Sequence, residues 1–514
     1  MGITENLSAL QAQTLDSPTI EQSQTISTSF TGATLSDTGA FPPDSMGDVG
    51  PTQYIVAVNG RFRSFNKTTA VADGALNANP DTFFSSVLSP VPSGGLNFTS
   101  DPRIRYDRGV GRWFIVMIDV PSSKSTSIGD LPNRVMIAVS SGATITGTGN
   151  FTFYSFQGGA NEFADYPTLG IDASALYIGS NIFSPTSGAF INTNAYVVRK
   201  SSILSGGPIV MTPFTNLIGS DGPNTPQGVD DFDAGATQGY FIGPSNSTGK
   251  LVLRRVSDPG GTPTLSSNII LNVAATAVPL LVPHLGNTKG NNGRLDAVDD
   301  RLMNAVIRNG HLWTAQAIAV DNTGSASGTL TRDGVRWYDI TNLATTPTVN
   351  QFGTVSTITA NNLTTERNYW IPSIMVSGQG DVAMGFSAAG SNEHINAATT
   401  GRLAGDPLNT MAAPVLYTNS TTAYNPSGDT GSTSGRRWGD YSYTSIDPSD
   451  DMTMWTIQEY CNATNSYAVQ VVKLLAPLPA TPASASGAVT QGASNVNVVV
   501  TGNAVSGSGF FDPG

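Results

Sequence analysis

A strand-like pattern recurs seven times along this chain at a nearly constant spacing. Each copy is an apolar or aromatic run, usually preceded by a tight turn that contains Asp, Asn or Gly. The copies are centred on Tyr54, Trp113, Tyr177, Tyr240, Trp313, Ala383 and Trp455, in steps of 59 to 73 residues. Self-similarity at a fixed period, with strand chemistry in every unit, is typical of a toroidal repeat fold.

The residues around each centre indicate a β-hairpin. In DPRIRYDRGVGRW, residues 101–113, two alternating segments flank an Asp-Arg-Gly turn. Asp and Gly tolerate the positive φ of such turns, and the alternation of apolar residues specifies the strand register. A hairpin followed by one or two outer strands, in about 60–70 residues, corresponds to one four-stranded blade. The sequence therefore predicts an all-β fold, a seven-bladed β-propeller.

Composition supports this fold class and restricts the partners. The chain has 55 Gly, 31 Pro and only 12% charged residues, which is typical of an all-β protein with many turns. A net charge of −12 argues against nucleic acid or an anionic membrane as a partner. No hydrophobic run is long enough to span a membrane. Cys461 is the only cysteine, so no intrachain disulfide can form, and in a secreted protein this favours a bacterial or archaeal origin.

The two ends differ from the repeat. Residues 1–25 are expected to form an extended lead-in, residues 26–476 the propeller, and residues 477–486 a Pro/Ala/Ser linker. The alternating stretch Thr25–Leu35 can complete the last blade and close the ring. Residues 487–514 alternate like β-strands and resemble the beginning of an immunoglobulin-like module, as a short C-terminal β extension. We expect this segment to be a truncated module, or to be completed by a partner chain through self-association.

Chemistry-bearing residues recur at one phase of the repeat. In a propeller, the loops that lead into the innermost strands converge on one rim of the central channel. The carboxylates, guanidiniums and aromatic rings of these loops are Asp44, Asp48, Asp101, Arg103, Asp165, Tyr166, Asp230, Asp231, Asp233, Asp299, Asp300, Arg301, Tyr369, Trp370, Arg437, Trp438, Asp440 and Tyr441. Their common phase predicts a shared site at the rim.

Three interpretations of this ring remain open. In the first, each Asp caps a turn or pairs with a neighbouring Arg, which avoids an isolated buried charge. In the second, Asp230, Asp231 and Asp233 bind Ca²⁺, the one cofactor that the residues suggest. In the third, the rim is a glycan site with Asp440, Tyr441, Asp231 and Asp165 as catalytic groups. The substrate-binding residues would then be Arg103, Arg301, Arg437, Tyr369, Trp370 and Trp438.

Other catalytic patterns are missing. His284, His311 and His394 are scattered without the spacing of metal ligands, which argues against a zinc site. The sequence also lacks a nucleophile elbow, a P-loop and a dinucleotide-binding fingerprint.

Five segments carry a resemblance to known proteins. They are LDAVDDRLMNAVIRNGHLW (295–313), GVRWYDI (334–340), YWIPSIMVSGQGDVAMGFSAAG (369–390), TGRLAGDPLNTM (400–411) and RWGDYSYTSIDPSDDMTMWTIQEY (437–460). Together they resemble a group of large, secreted bacterial propeller proteins over roughly residues 41–476, which implies the propeller and an extracellular location without assigning a reaction. More remotely, the architecture is similar to sialidase-type propellers. That similarity implies an arginine triad of Arg103, Arg301 and Arg437 with Tyr441 as nucleophile, although the S-x-D-x-G-x-T-W boxes of those proteins are missing here.

The predicted function follows from the rim. We expect a secreted or cell-surface propeller that binds a polysaccharide or glycoconjugate there, and that as an enzyme would be a glycoside hydrolase or polysaccharide lyase. The alternative is a non-catalytic structural or adhesion module that contacts a glycan or a surface protein. An open pair of carboxyls beside an exposed Trp370 or Trp438 would favour the enzyme. Fully paired carboxylates and a filled channel would favour the scaffold.

Overall fold

Strands account for nearly all regular structure in the computed structural model. It describes residues 24–219, 221–357, 366–477, 480–487, 490–492, 494 and 496–503. Most of the predicted lead-in and residues 504–514 therefore lie outside the described residues. The helical segments within the described residues are short: Leu35–Thr38, Pro80–Phe83, Lys200–Leu204 and the 3₁₀ turns Thr148–Asn150 and Gly290–Gly293. No helix among the described residues is long and apolar enough to cross a membrane.

Seven antiparallel units follow one another along the chain, and each is one blade. The strands of each blade are given from the innermost outward. Blade 1 consists of Gly47–Val49, Gln53–Val58, Arg61–Asn66 and Ala72–Ala78. Blade 2 consists of Thr99–Asp107, Arg112–Asp119, Arg134–Ser140 and Phe151–Gln157. Blade 3 is Phe163–Asp165 with Gly170–Ile171, then Ala175–Phe183, Phe190–Arg199, Met211–Phe214. Blade 4 is Gln227–Asp231, Gln238–Pro244, Lys250–Ser257, then Thr264–Leu265 with Ile269–Asn272. Blade 5 consists of Leu302–Arg308, His311–Val320, Arg332–Thr341 and Thr348–Val355. Blade 6 consists of Arg367–Val376, Val382–Gly390, Glu393–Arg402 and Val415–Leu416. Blade 7 is Tyr443–Ile446, Met454–Ala463, Ser466–Leu475, Thr25–Thr34.

The seven repeat centres all lie in the second strand of their blades, which confirms the predicted periodicity. Their side chains are buried because they pack between neighbouring blades. Trp113 of blade 2 lies against Gly50 of blade 1, where an added Cβ would come within 2.5 Å of the indole. Tyr177 of blade 3 similarly covers Gly239 of blade 4. Large rings in the second strands and small residues opposite them therefore hold adjacent blades in contact.

The ring is closed by the first described strand. Thr25–Thr34 pairs antiparallel with Ser466–Leu475, with Thr25 opposite Leu475, so that both ends of the propeller contribute to blade 7. The predicted closure is confirmed. The innermost strands of blades 4 and 5 pair in parallel, with Val229 opposite Ala305, as expected for strands that run the same way along a common axis. Closure also covers the edge strand Ser466–Leu475, which would otherwise be open to pairing with another chain.

The C-terminal region differs from the expected linker. Thr481–Ser486, which the Pro/Ala/Ser composition predicts to be linker, is a strand that pairs with Val499–Asn503. An extended Pro/Ala/Ser segment can still pair at the positions where it has N–H groups, and the register shifts between Pro482 and Ser484.

Deletion of residues 1–34 tests the ring closure. Removing Thr25–Thr34 takes the outer strand from blade 7, so we expect a lower melting temperature and concentration-dependent self-association through the exposed edge. Deletion of residues 1–23 is the matched control, because it leaves that strand intact. Differential scanning calorimetry and size-exclusion chromatography report the two effects. Equal melting temperatures for the two deletions would show that this strand does not stabilise the ring.

Candidate functional site

Each of the seven blades has a residue in the left-handed backbone region, either shortly before its innermost strand or within it. We call the end of the ring at which these strands begin the front mouth, and the opposite end the rear mouth. The seven left-handed residues are Asp44, Asp101, Tyr166, Thr225, Val298, Ile371 and Gly439. For β-branched residues this conformation is strained by about 1–3 kcal/mol, and such strain persists only where the surrounding structure imposes it. In blades 2 and 6 it coincides with a bulge, which re-aims the following side chains.

Residues from four blades meet around Tyr166 at the front mouth. The guanidinium of Arg301 lies 4.4 Å from the centroid of the Tyr166 ring, and the guanidinium of Arg103 lies 5.0 Å from it. Tyr441 packs edge-on against it with centroids 5.6 Å apart, and the Tyr166 hydroxyl donates to the carbonyl oxygen of Asp440 at 3.1 Å. The predicted convergence of distant acidic, guanidinium and aromatic groups is therefore present in the structure for these five residues.

The three arginines of this mouth have different surroundings. Arg301 makes two bonds to Asp299, at 2.6 and 2.7 Å, and Arg437 makes one to Asp440 at 2.6 Å. Arg103 is buried, lies 3.3 Å above the Tyr441 ring and donates from Nε to the Pro167 carbonyl. Only the guanidiniums of Arg301 and Arg437 retain access to solvent, so these two can contact a ligand at the surface.

Four carboxyl groups crowd the same mouth. Burial, together with the charges of Asp101 and Asp440, raises the pKa of Asp165 to about 7, although Arg301 lowers it. Burial likewise raises the pKa of Asp101, and that of Asp44 well above its usual range. Asp44 already accepts hydrogen bonds from the Asn59 amide and from the Asp440 backbone N–H, both at 2.8 Å. Of these three residues only Asp165 is partly exposed, whereas Asp44 and Asp101 are buried.

The acidic run of blade 4 is not at this mouth. Asp230 lies within the innermost strand, fully buried, and accepts from Arg105 at 2.8 and 3.0 Å and from the Tyr443 hydroxyl at 3.0 Å. Asp231 accepts from the Asp233 N–H, and Asp233 caps a hairpin tip of blade 5. The run continues the strand toward the rear mouth, so Asp231 is separated from the other predicted catalytic residues.

The predicted Ca²⁺ site is not supported by this arrangement. Asp230, Asp231 and Asp233 point to three different sets of partners, as described above. Within the part of the chain that the structure describes, no group of three or more His, Cys, Asp or Glu side chains is arranged to hold a metal ion. Adjacent positions of a strand face opposite sides, which separates Asp230 from Asp231, and Asp233 lies beyond the end of the strand.

The predicted aromatic platforms are core residues. Tyr369, Trp370 and Trp438 are 4%, 0% and 1% exposed, so none presents a ring face to solvent. The two indoles pack against each other, and the Trp438 Nε1 donates to the Ser387 hydroxyl at 3.0 Å. Tyr441 is also unsuited to nucleophilic attack, because burial raises its pKa well above the usual range and its hydroxyl donates to the Pro102 carbonyl.

The axis between the mouths is filled. Arg105 of blade 2 reaches Asp230 of blade 4, the Leu169 carbonyl of blade 3 and the ring of Tyr443 of blade 7, whose centroid is 3.8 Å away. At the rear mouth a cavity of about 10 Å³ remains beside Asp48, which is room for about one water molecule. A ligand can therefore bind on the front face but cannot thread through the ring.

Sequence reasoning missed a depression next to this mouth. It encloses about 370 Å³ and is lined by residues of blades 3, 4 and 5, namely Asn181, Phe183, Phe190, Asn224, Thr225, Pro244, Asp299, Asp300 and Arg301. Phe183 and Phe190 flank the outer hairpin of blade 3, so they do not share the phase by which the rim was predicted. The only sequence signal was the aromatic pair on either side of a Ser/Thr/Gly-rich turn.

Comparison with known proteins finds only distant structural similarity. No protein-family model and no curated protein matches the chain. It is similar to the structure of Trypanosoma rangeli sialidase in complex with sialic acid, at 12% identity and a TM-score of 0.35, with 73% of this chain and 54% of that chain covered. The chain thus spans about half the length of that sialidase. A Bacillus subtilis arabinanase has 12% identity and a TM-score of 0.28, covering 62% and 100%. Hydrazine synthase of Kuenenia stuttgartiensis has 8% identity and a TM-score of 0.42, covering 84% and 96%. Scores this low support no transfer of residue roles.

Substitution of Asp230 tests the axial contacts. We expect Asp230→Ala to lower the free energy of unfolding by about 3–5 kcal/mol, because it leaves Arg105 buried without its carboxylate. Asp231→Ala is the matched control and should change it by about 1 kcal/mol or less, since Asp231 makes one backbone hydrogen bond. Urea unfolding measures both, and comparable losses would contradict a special role for the axial pair.

The crowded carboxyls also predict how stability depends on pH. Asp48 and Asp165 have folded-state pKa values of about 7, above those of the unfolded chain. Between about pH 4 and 7 the folded chain therefore holds protons on these two carboxyls that the unfolded chain has lost. The stability that the bound protons contribute decreases over this range and is lost as the pH rises through 7. We expect the melting temperature to fall from pH 5 to pH 8, and less steeply in Asp165→Asn. An identical slope in that variant would contradict the assignment.

Proposed function

We propose that this chain is a secreted or cell-surface propeller protein that binds a glycan at the front mouth and cleaves it by general acid catalysis. The resemblance to secreted bacterial propellers and the single cysteine support the location. Because the axis is filled, a substrate site on the surface is favoured rather than one inside a channel. Self-association through the C-terminal β-segment stays a prediction.

The proposal depends on one observation, the partly exposed carboxyl of Asp165 beside the Asp440–Arg437 pair, where burial and neighbouring carboxylates raise its pKa to about 7. A general acid works best when its pKa is near the working pH, and a value of about 7 satisfies this for Asp165. Glycoside hydrolysis needs such an acid together with a second carboxylate. Asp165 would protonate the departing glycosidic oxygen. Asp440 would act as the second carboxylate, which either activates the attacking water or attacks the sugar itself before water releases it.

Hydrolysis is supported over elimination. A polysaccharide lyase needs a base that can remove a carbon-bound proton. Burial holds Tyr441 in its protonated form, so its oxygen is a poor base. His284 and His311 are engaged elsewhere, with the Gly293 carbonyl and with Asp339.

The alternative is the non-catalytic adhesion module. It is supported by the burial of Trp370 and Trp438 and by the pairing of most carboxylates with arginine or backbone groups. A protein of this kind would bind a glycan or a surface protein without cleaving it. The experiment below separates the two functions.

The test is hydrolysis of a panel of polysaccharides and oligosaccharides. We expect Asp165→Asn to lower kcat/KM by about 100-fold or more, because the amide cannot donate the proton. The matched control is Asp231→Asn, since burial also raises the pKa of Asp231 to about 7 but this residue lies away from the front mouth. Wild-type activity should also fall as the pH rises through 7, as Asp165 loses its proton.

Two results would contradict the catalytic proposal. Equal losses in Asp165→Asn and Asp231→Asn would show a general effect on the fold. Glycan binding by the wild type without any released product would instead support the adhesion module.

A further inference from the structure

The front-face depression between blades 3, 4 and 5 has the size of a ligand site. Its volume of about 370 Å³ falls within the range of about 300–1,000 Å³ for small-molecule pockets. Blade 3 contributes Asn181, Phe183 and Phe190, the segment before blade 4 contributes Thr225, and blade 5 contributes Asp300 and Arg301. Three blades thus present polar groups to one concave surface.

Two largely buried polar side chains in this depression have no hydrogen-bond partner among the described residues. Asn181 is 7% exposed and Thr225 is 5% exposed. Neither side chain makes a hydrogen bond to any residue that the structure describes, and both line the depression. The small surface that each side chain keeps open lies at the depression, where its polar atoms are in contact with solvent. Their placement therefore points to a polar ligand, with an amide and a hydroxyl available to it.

An apolar wall stands next to these polar groups. The rings of Phe183 and Phe190 meet edge to face, with centroids 5.6 Å apart, and Phe190 is 47% exposed. An exposed aromatic ring beside an amide and a hydroxyl matches a ligand with a flat apolar face and several hydroxyl groups. Sugars have both features, whereas a purely apolar ligand would leave Asn181 and Thr225 without partners.

The charges of the depression favour a neutral sugar. Among the described residues that line the depression, Arg301 is the only cation, and its charge is paired with Asp299 through two hydrogen bonds. Asp300 lies beside them and accepts one hydrogen bond, from the Thr276 hydroxyl at 2.8 Å. A carboxylate on the ligand would be repelled by Asp300, whereas a sugar hydroxyl can donate to it.

The depression is next to the proposed acid. Asn181 is directly opposite Asp165 in the antiparallel pairing of blade 3, and directly opposed residues place their side chains on the same face of a sheet. Arg301 both lines the depression and stacks on Tyr166. A sugar bound there is therefore a direct neighbour of Asp165.

We infer that this depression is a binding subsite for a neutral sugar unit of the glycan. The inference names the substrate class of the proposed function and rests on it for the position of the bond to be cleaved. Binding at the depression is nevertheless a separate property, because none of Asn181, Thr225 and Phe190 has a role in proton transfer.

Binding is measured by isothermal titration calorimetry in the Asp165→Asn protein, which prevents turnover. The probes are neutral hexose and pentose oligosaccharides and the matching uronic-acid oligosaccharides. We expect neutral oligosaccharides to bind, and binding to weaken about tenfold with Asn181→Ala or Phe190→Ala added. Leu408→Ala, which removes a 58% exposed apolar side chain of blade 6, is the matched control and should not change binding. Phe190 is a surface residue, so its variant tests the site without depending on the core.

The outcomes separate this inference from the proposed function. Neutral binding that neither added variant weakens, tighter binding of the uronic-acid probes, or no binding of any saccharide would overturn the subsite. Cleavage by the wild type together with any of these would leave the front-mouth proposal standing. Neutral binding that depends on Asn181 and Phe190, with no cleavage by the wild type, would support the subsite and reject the catalytic proposal.

Discussion

A buried ion pair across the axis holds this ring together. Arg105 and Asp230 are 3% and 0% exposed and belong to blades 2 and 4, and Tyr443 of blade 7 donates to the same carboxylate. Removing both charges from water is costly unless their hydrogen-bonding groups are satisfied. Here Arg105 also donates to the Leu169 carbonyl, and Asp230 accepts from the Ile171 N–H. Blades 2, 3, 4 and 7 are thereby connected at the centre of the ring.

The same crowding sets the chemistry of the front mouth. Several carboxyl groups approach one another in a region with little water, and the two cations that oppose them at the surface are already paired with Asp299 and Asp440. Burial and like charge both favour the neutral acid, so Asp165 retains a proton near neutral pH. The crowding of the blades around a narrow axis therefore also brings the pKa of Asp165 close to neutrality.

The filled axis and the open depression are two consequences of one geometry. Near the axis the innermost strands are so close that Arg103, Tyr166 and Tyr441 occupy the space between them. Farther out the blades diverge, and between blades 3, 4 and 5 their connecting segments leave a concave surface. A glycan that binds this protein would lie across the front face, from the depression toward the mouth.

Much of the architecture could be predicted from the repeat, because apolar periodicity and turn residues are local properties of the chain. They placed the seven anchor strands, the closing strand at Thr25–Thr34 and the convergence of Arg103, Asp165, Arg301 and Tyr441 on one mouth. Local pattern does not say which neighbour a side chain meets. The position of Asp230 on the axis, the burial of Trp370 and Trp438, and the placement of Asn181 beside Thr225 were decided by the tertiary structure. Each depends on contacts between blades that are far apart in sequence, and the exposure and charge state of a group are determined by those contacts.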